Sequence, residues 1–107
     1  MPEQRRPRVR IKVVKTVDPT QVREQIFELP CSIGREQATF VITGDPKISR
    51  LHAELRADGD QLLLVDLGST NGTLVRDKQL ENKGSVALES PSVVGIGPNT
   101  TLEVELK

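Results

Sequence analysis

The sequence contains no Trp or Tyr and only two Phe residues among its 107 residues. Proteins that stack nucleic-acid bases depend on aromatic side chains, so this scarcity argues against a base-stacking platform. One Cys (Cys31) and one His (His52) cannot make an internal disulfide or a zinc site of His and Cys ligands. No signal-peptide-like segment or 18-residue apolar run occurs. We therefore expect a cytoplasmic protein without membrane contact, metal or cofactor, and Cys31 is predicted to be a small buried side chain.

The charges of the chain are balanced, because 15 basic residues match 15 acidic residues. A neutral chain exerts no general attraction on nucleic acid or membrane. The N-terminus is nevertheless basic, through Arg5, Arg6, Arg8, Arg10 and Lys12. We interpret this cluster as a solvated tail that runs into an edge strand, in preference to a nucleic-acid-binding arm. The length fits one domain, which divides into a basic tail over residues 1–7 and a folded domain over residues 8–107.

Alternation of apolar and polar residues dominates the sequence, with the period of two that is typical of half-buried strands. Segments 9–13, 53–57 and 102–106 show it most clearly, and shorter apolar segments occur at 62–65, 86–88 and 93–96. Asp58-Gly59 separates two of these segments and predicts a hairpin, while Asn71-Gly72 marks a second turn. Many short strands separated by turn residues predict an antiparallel sandwich or barrel.

Residues 19–29 fit two local structures. An N-cap residue and a proline at positions 18 and 19, followed by apolar residues in steps of four and three from Val22, favour a helix. As a strand, the same segment would direct Phe27 and Leu29 inward after a loop over residues 17–22. The local pattern alone leaves both interpretations open.

Three polar segments carry the chemistry of the chain. They are Gly34-Arg35, Ser49-Arg50-Leu51-His52 and Gly68-Ser69-Thr70-Asn71-Gly72-Thr73. Each segment alone is an ordinary turn. Together they offer guanidinium groups, hydroxyls, an amide and backbone N–H groups, which are donors suited to an oxyanion. A compact dianion such as a phosphomonoester fits this set best.

An enzyme would need a different arrangement of the same residues. Ser49 as nucleophile and His52 as base, with Asp45 or Asp66 orienting the imidazole, is the strongest such alternative. Residues three apart on an extended strand point to opposite faces, and no Gly-x-Ser-x-Gly elbow surrounds Ser49. We therefore expect the protein not to be an enzyme.

In this order and spacing, the three segments resemble the signature of the forkhead-associated (FHA) domain family. The resemblance runs from about Val9 to Leu106 and includes Val94-Gly95-Ile96-Gly97 as the end of the penultimate strand. The sequence departs from the family at Pro91-Ser92, where Gly-Asp is frequent, in a turn away from the binding loops. The resemblance implies an all-β fold, an antiparallel β-sandwich of about eleven short strands with binding loops at one end. It also favours the strand for residues 19–29.

The resemblance further implies a role for each site residue. Arg35 would be the main phosphate ligand, and Ser49 and Thr70 would donate their hydroxyls to the phosphate. Arg50 would add a backbone N–H or a second cation. Asn71 would bind the main chain of the peptide.

Three further residues, Gly34, Gly72 and His52, have architectural roles in this resemblance, the glycines by permitting turns and the imidazole by joining loops. Lys47 is a candidate reader of the third residue after the phosphothreonine, where it would favour an acidic side chain. An exposed lysine without a ligand is the competing interpretation of Lys47.

The function implied is phosphothreonine-dependent binding of proteins or peptides in Ser/Thr-kinase signalling, by a monomer. A phosphate-independent interaction module on the same sandwich is the alternative, against which the intact set of site residues argues. Residues 1–7 contain no Ser or Thr, and Thr16 and Thr20 are too constrained to reach the site readily, so no intramolecular phosphothreonine switch is expected within this chain.

Overall fold

The computed structural model of the chain describes residues 7–76 and 78–107, so Arg5 and Arg6 of the predicted tail lie outside the described residues. Eleven strands and no helix occur in the part described. The strands are β1 Arg8–Lys15, β2 Glu24–Glu28, β3 Cys31–Gly34, β4 Phe40–Val41, β5 Ala53–Asp58, β6 Gln61–Asp66, β7 Thr73–Val75, β8 Lys78–Gln79, β9 Ser85–Leu88, β10 Ser92–Ile96 and β11 Thr100–Leu106. With no helix in these ranges, none is available to span a membrane.

The strands form two sheets that face each other across one core. One sheet has six strands in the order β2-β1-β11-β10-β7-β8, and the other has five in the order β4-β3-β5-β6-β9. All pairs are antiparallel except β3 with β4, which is parallel. The predicted all-β antiparallel sandwich is confirmed. Inward-facing aliphatic side chains of both sheets, including Ile11, Ile33, Leu55, Leu64 and Leu102, fill the core.

Strand β1 lies inside its sheet, between β2 and β11. The prediction that the basic segment enters an edge strand was therefore wrong, because residues 24–28 pair along its outer side. Arg10 on β1 contacts the carboxylates of Glu24 at 2.8 Å, Glu105 at 3.0 Å and Glu103 at 3.2 Å. The hydrogen bonds that Arg10 donates, first to Glu24 and then to Glu105, raise the pKa of Arg10 above its ordinary value. These contacts engage Arg10 within its own sheet.

Residues 19–29 form a loop followed by β2, which confirms the strand interpretation. Phe27 packs on Phe40 with ring centroids 5.4 Å apart, and Leu29 is buried. The helix interpretation is wrong, because Val22 and Ile26, two of the apolar residues that suggested a buried helix face, remain exposed. The residues that suggested a helix start form a turn instead, in which the Asp18 carboxylate accepts a hydrogen bond from the Thr20 N–H at 2.8 Å.

The Asp58-Gly59 hairpin closes β5 on β6 as predicted, with Gly59 at a φ of +62°. The Asn71-Gly72 segment behaves differently. It leads from β6 in the five-stranded sheet to β7 in the six-stranded sheet, so this turn joins the two layers of the sandwich.

Both ends of the described chain lie at the hairpin end of the sandwich. The Lys107 N–H donates to the Arg8 carbonyl at 2.7 Å, and the Leu29 N–H donates to the Pro7 carbonyl at 2.9 Å. Cys31 begins β3 at this same end and is fully buried, as predicted. Burial raises the pKa of its thiol to about 12, which keeps the thiol protonated and unreactive.

Candidate functional site

Three loops meet at the end of the sandwich opposite the hairpin. The first site loop is residues 35–39 between β3 and β4, the second is residues 42–52 between β4 and β5, and the third is residues 67–72 between β6 and β7. Backbone hydrogen bonds join the first two, from the Arg35 N–H to the Ser49 carbonyl at 2.9 Å and from the Glu36 N–H to the Arg50 carbonyl at 3.2 Å. All nine predicted site residues lie in or directly beside these loops.

Gly34, the last residue of β3, allows this close approach. A Cβ atom at this position would lie 2.2 Å from the Arg50 carbonyl oxygen and 3.0 Å from the Leu51 Cα. Both neighbours are backbone atoms, so no side-chain rotation could relieve the overlap. Only glycine fits where the first loop passes against the second.

The side chain of Arg35 is held in place by contacts with residues of the first and second site loops. Its Nε donates to the Ile48 carbonyl at 3.0 Å, and its Nη1 donates to Glu36 Oε1 at 3.0 Å. A guanidinium has five N–H donors, so these two bonds leave three for a ligand. The side chain is 37% exposed, which makes the group both oriented and accessible.

Ser49 and Thr70 connect the second and third loops. The Thr70 N–H donates to Ser49 Oγ at 3.1 Å, so the hydroxyl of Ser49 acts as an acceptor there and keeps its own proton for donation. Thr70 is exposed, and Ser49 is half-buried. The Arg50 side chain is 71% exposed, with its Nε 3.7 Å from Glu36 Oε2.

Asn71 and Lys47 make a second connection between these loops. Asn71 Nδ2 donates to the Lys47 carbonyl at 2.7 Å, and the Lys47 N–H donates to Asp45 Oδ1 at 3.0 Å. The Asn71 amide retains a second N–H and a carbonyl oxygen, which are the groups that a peptide main chain requires. The Lys47 side chain is exposed.

His52 is fully buried between the loops. Its Nδ1 accepts the Ser49 N–H at 3.0 Å, so its Nε2 carries the proton and donates to the Gly72 carbonyl at 2.8 Å. Burial lowers the pKa of His52, outweighing the opposite effects of the Gly72 bond and of Asp66 and Asp45. The imidazole is therefore neutral at pH 7 and joins two loops.

The same contacts leave no role for His52 as a base. Both ring nitrogens are bonded to backbone groups, and the Ser49 hydroxyl contacts Thr70. The carboxylates considered for orienting the imidazole have other partners. Asp45 accepts from the Lys47 N–H and Thr100 Oγ1, and Asp66 accepts from two N–H groups of the third loop. The triad arrangement does not occur.

Asp66 shapes the site, although the sequence analysis considered it only in the enzyme alternative that it rejected. Its buried carboxylate accepts from the N–H groups of Gly68 at 3.0 Å, Ser69 at 3.2 Å and Lys83 at 3.1 Å, and from Thr73 Oγ1 at 2.8 Å. Burial raises the pKa of Asp66, but hydrogen bonds outweigh it and hold the pKa below its ordinary value, first the bond from the Ser69 hydroxyl and then those from Lys83, Thr73 and Gly68. Asp66 thus fixes the start and end of the third loop. An Asp before a run of small polar residues is the available sequence signal.

Glu36 is a residue of the site that the sequence did not predict. Its carboxylate contacts both site arginines, through Oε1 to Arg35 at 3.0 Å and Oε2 to Arg50 at 3.7 Å. A glutamate next to an arginine in the chain gives no sign of the second contact, because Arg50 is brought to it by the pairing of two loops.

A β-sandwich that collects arginines, hydroxyls and an amide on three loops at one end has the donor groups that anion binding requires. The family model of the FHA domain matches residues 31–97. FhaB of Mycobacterium tuberculosis is 36% identical over 93 residues, which are 86% of this chain and 59% of FhaB. The chain spans smaller shares, down to 5%, of other curated relatives that it matches.

Two solved structures add to this similarity. One, from a study of phosphothreonine-dependent FHA domain interactions, is 30% identical with a TM-score of 0.73 and covers 94% of this chain and 97% of its own. The other, the FHA domain of FhaA complexed with the intracellular domain of a second protein, is 31% identical with a TM-score of 0.71 and covers 91% and 99%. The chain belongs to the FHA domain family.

Proposed function

We propose that this protein binds phosphothreonine-containing segments of other proteins through the three site loops. The observation that carries the proposal is Arg35, whose guanidinium is anchored to the Ile48 carbonyl and keeps three N–H donors beside the hydroxyl-bearing loops. The solved FHA structure from the study of phosphothreonine-dependent interactions supports the same ligand.

Each predicted ligand group has a place in this proposal. Arg35 binds two phosphate oxygens in a planar arrangement, and Ser49 and Thr70 donate their hydroxyls to the same phosphate. Arg50 supplies a second, more exposed cation. Asn71 binds the peptide main chain with the amide groups that its bond to Lys47 leaves unused.

The expected affinity follows from these contacts. Hydrogen bonds to a charged group contribute roughly 1.5–3 kcal/mol each. Three or four of them, less the cost of ordering a peptide, correspond to a micromolar complex of about −8 kcal/mol. The methyl group of phosphothreonine adds about 0.8 kcal/mol over phosphoserine, roughly fourfold in affinity. Stiffness of the β-branched side chain adds to this preference.

The proposal treats residues 8–107 as one binding domain that acts as a cytoplasmic monomer in Ser/Thr-kinase signalling. It requires no catalysis, cofactor, metal, nucleic acid or membrane. The phosphothreonine on a partner is the only modification it needs. Lys47 is the proposed reader of an acidic third residue after the phosphothreonine, since its side chain is exposed in the second site loop.

Fluorescence anisotropy with a degenerate peptide library tests the proposal. Phosphothreonine peptides should bind with micromolar affinity, and phosphoserine, phosphotyrosine and unphosphorylated versions should bind more weakly. Arg35→Ala should cost about 2–4 kcal/mol, which nearly abolishes detectable binding. A subset of peptides that varies the third residue after the phosphothreonine addresses Lys47.

Arg56→Ala is the matched control, because it removes a half-exposed arginine of β5 near the hairpin end. Its affinity should equal that of the unaltered protein. Full affinity in Arg35→Ala would contradict the proposal. Capture of a partner that survives phosphatase treatment would favour the phosphate-independent alternative.

A further inference from the structure

We propose that Glu36 is a specificity-determining residue, which occupies the anion site in the free protein and reads a basic side chain of the ligand in the bound one. This inference rests on the proposed function. It concerns a residue to which neither the motif nor the ligand chemistry assigns a part.

The geometry places one carboxylate across two cations. Glu36 Oε1 lies 3.0 Å from Arg35 Nη1, and Oε2 lies 3.7 Å from Arg50 Nε. The residue is fixed at its backbone, because its N–H donates to the Arg50 carbonyl at 3.2 Å. Each oxygen of this carboxylate thus faces a different one of the two arginines that are proposed to bind the phosphate.

A phosphate must therefore compete with Glu36 for these arginines. A ligand can replace the contacts of Glu36, because Glu36 is 50% exposed and Arg50 is 71% exposed, and ion pairs between exposed side chains are weak. The dianion offers three oxygens and a larger charge than the carboxylate, so it binds the three free donors of Arg35 and also draws Arg35 Nη1 and Arg50 Nε away from Glu36.

The displaced carboxylate then lies beside the bound phosphate without its former partners. Two negative groups in close proximity repel each other, which opposes binding. A lysine or arginine of the ligand, close to its phosphothreonine, would replace the lost contacts of Glu36 and cancel this repulsion. Glu36 thus favours phosphothreonine segments that carry a neighbouring positive charge.

Binding of a phosphopeptide series to the unaltered protein and to Glu36→Gln tests the proposed role of Glu36. The series places lysine, in turn, at each position flanking a phosphothreonine in an otherwise neutral peptide. The unaltered protein should prefer the lysine peptide over the neutral one about 2- to 5-fold at one position or two adjacent positions. Glu36→Gln keeps the shape and removes the charge, so it should bind the neutral phosphopeptide about 2- to 5-fold more tightly and lose the lysine preference.

Glu89→Gln is the matched control, since Glu89 also forms an exposed pair with an arginine, Arg76, at 2.7 Å, but outside the site loops. It should leave affinity and preference unchanged, and thermal unfolding should show that both variants are folded. Unchanged affinity or an unchanged lysine preference in Glu36→Gln would overturn the inference, even where binding still depends on Arg35. Absence of phosphopeptide binding by the unaltered protein would instead overturn the proposed function, and the inference with it.

Discussion

The two ends of this sandwich are stabilised in different ways. At the hairpin end, β5 turns into β6 through Asp58 and Gly59, and backbone pairing of the two strands closes the turn. A Cβ at Gly59 would meet nothing within 4 Å. At the site end, the side chains of His52, Asp66 and Asn71 bond to the backbone of residues far away in sequence.

This difference shows where the fold depends on pattern and where it depends on particular atoms. The hairpin end requires a turn residue that tolerates a positive φ, and many sequences supply one. The site end holds three loops in mutual register by polar contacts that few substitutions would preserve. Precise placement of ligand groups is the reason that such contacts are concentrated there.

The sharpest test of this difference is a pair of glycine substitutions. Gly34→Ala places a Cβ 2.2 Å from the Arg50 carbonyl oxygen, so the first two site loops must move apart, and we expect a loss of about 3 kcal/mol in the free energy of unfolding. Gly59→Ala meets only the cost of a positive φ, about 1 kcal/mol. Urea unfolding followed by circular dichroism measures both. Equal losses would contradict the contrast between the ends.

A pair of aspartate substitutions gives the next largest effect. Asp66→Asn replaces a buried charged acceptor by a neutral amide, whose NH₂ group would face the N–H groups that Asp66 binds. It should therefore lower the free energy of unfolding by about 2 kcal/mol. Asp58→Asn, in the exposed hairpin turn, should change stability by less than about 0.5 kcal/mol.

The pH dependence identifies the charge of Asp66 as the cause. Its pKa is lowered in the folded protein, so its stabilisation is fully present above about pH 4 and is lost as the pH falls through the lowered value. The gap in stability between the unaltered protein and Asp66→Asn should therefore narrow in acid. A gap that stays constant down to pH 2 would assign the effect to packing alone.

The smallest effect concerns His52, the single histidine of the chain, whose ring signals are unambiguous in a proton NMR titration. Its folded pKa lies below the ordinary 6.5, so the unfolded chain takes up the proton first. Stability should be unaffected above about pH 6.5 and should decline slightly as the pH falls below it. Ring signals that titrate at 6.5 or above would contradict the buried, neutral imidazole.

The strands were predictable from the sequence because alternation reports directly on which face of a strand is buried. Segments 9–13, 53–57 and 102–106 all became strands with the expected faces inward. The Asp58-Gly59 hairpin was equally predictable, because the residues that favour a tight turn lie in the turn itself.

Features that depend on long-range pairing were not predictable. Nothing near Asn71-Gly72 shows that the chain changes sheets there, and nothing near residues 8–12 shows that β2 covers β1 from outside. The hydrogen bonds of Asp66 to Lys83 and the contact of Glu36 with Arg50 likewise join residues that only the fold brings together. Motif order predicted the site residues, but the hydrogen-bond partners of these residues depend on the fold.

Pairing of the first and last strands has a practical consequence. Arg8 and Lys107 are hydrogen-bonded to each other at the end of the sandwich remote from the site loops. A linker that couples Lys107 to a sensor surface would therefore leave all three loops accessible to ligands in solution. Densely tethered copies could then engage ligands with several phosphothreonines, whose apparent affinity would rise through effective concentration without any new contact.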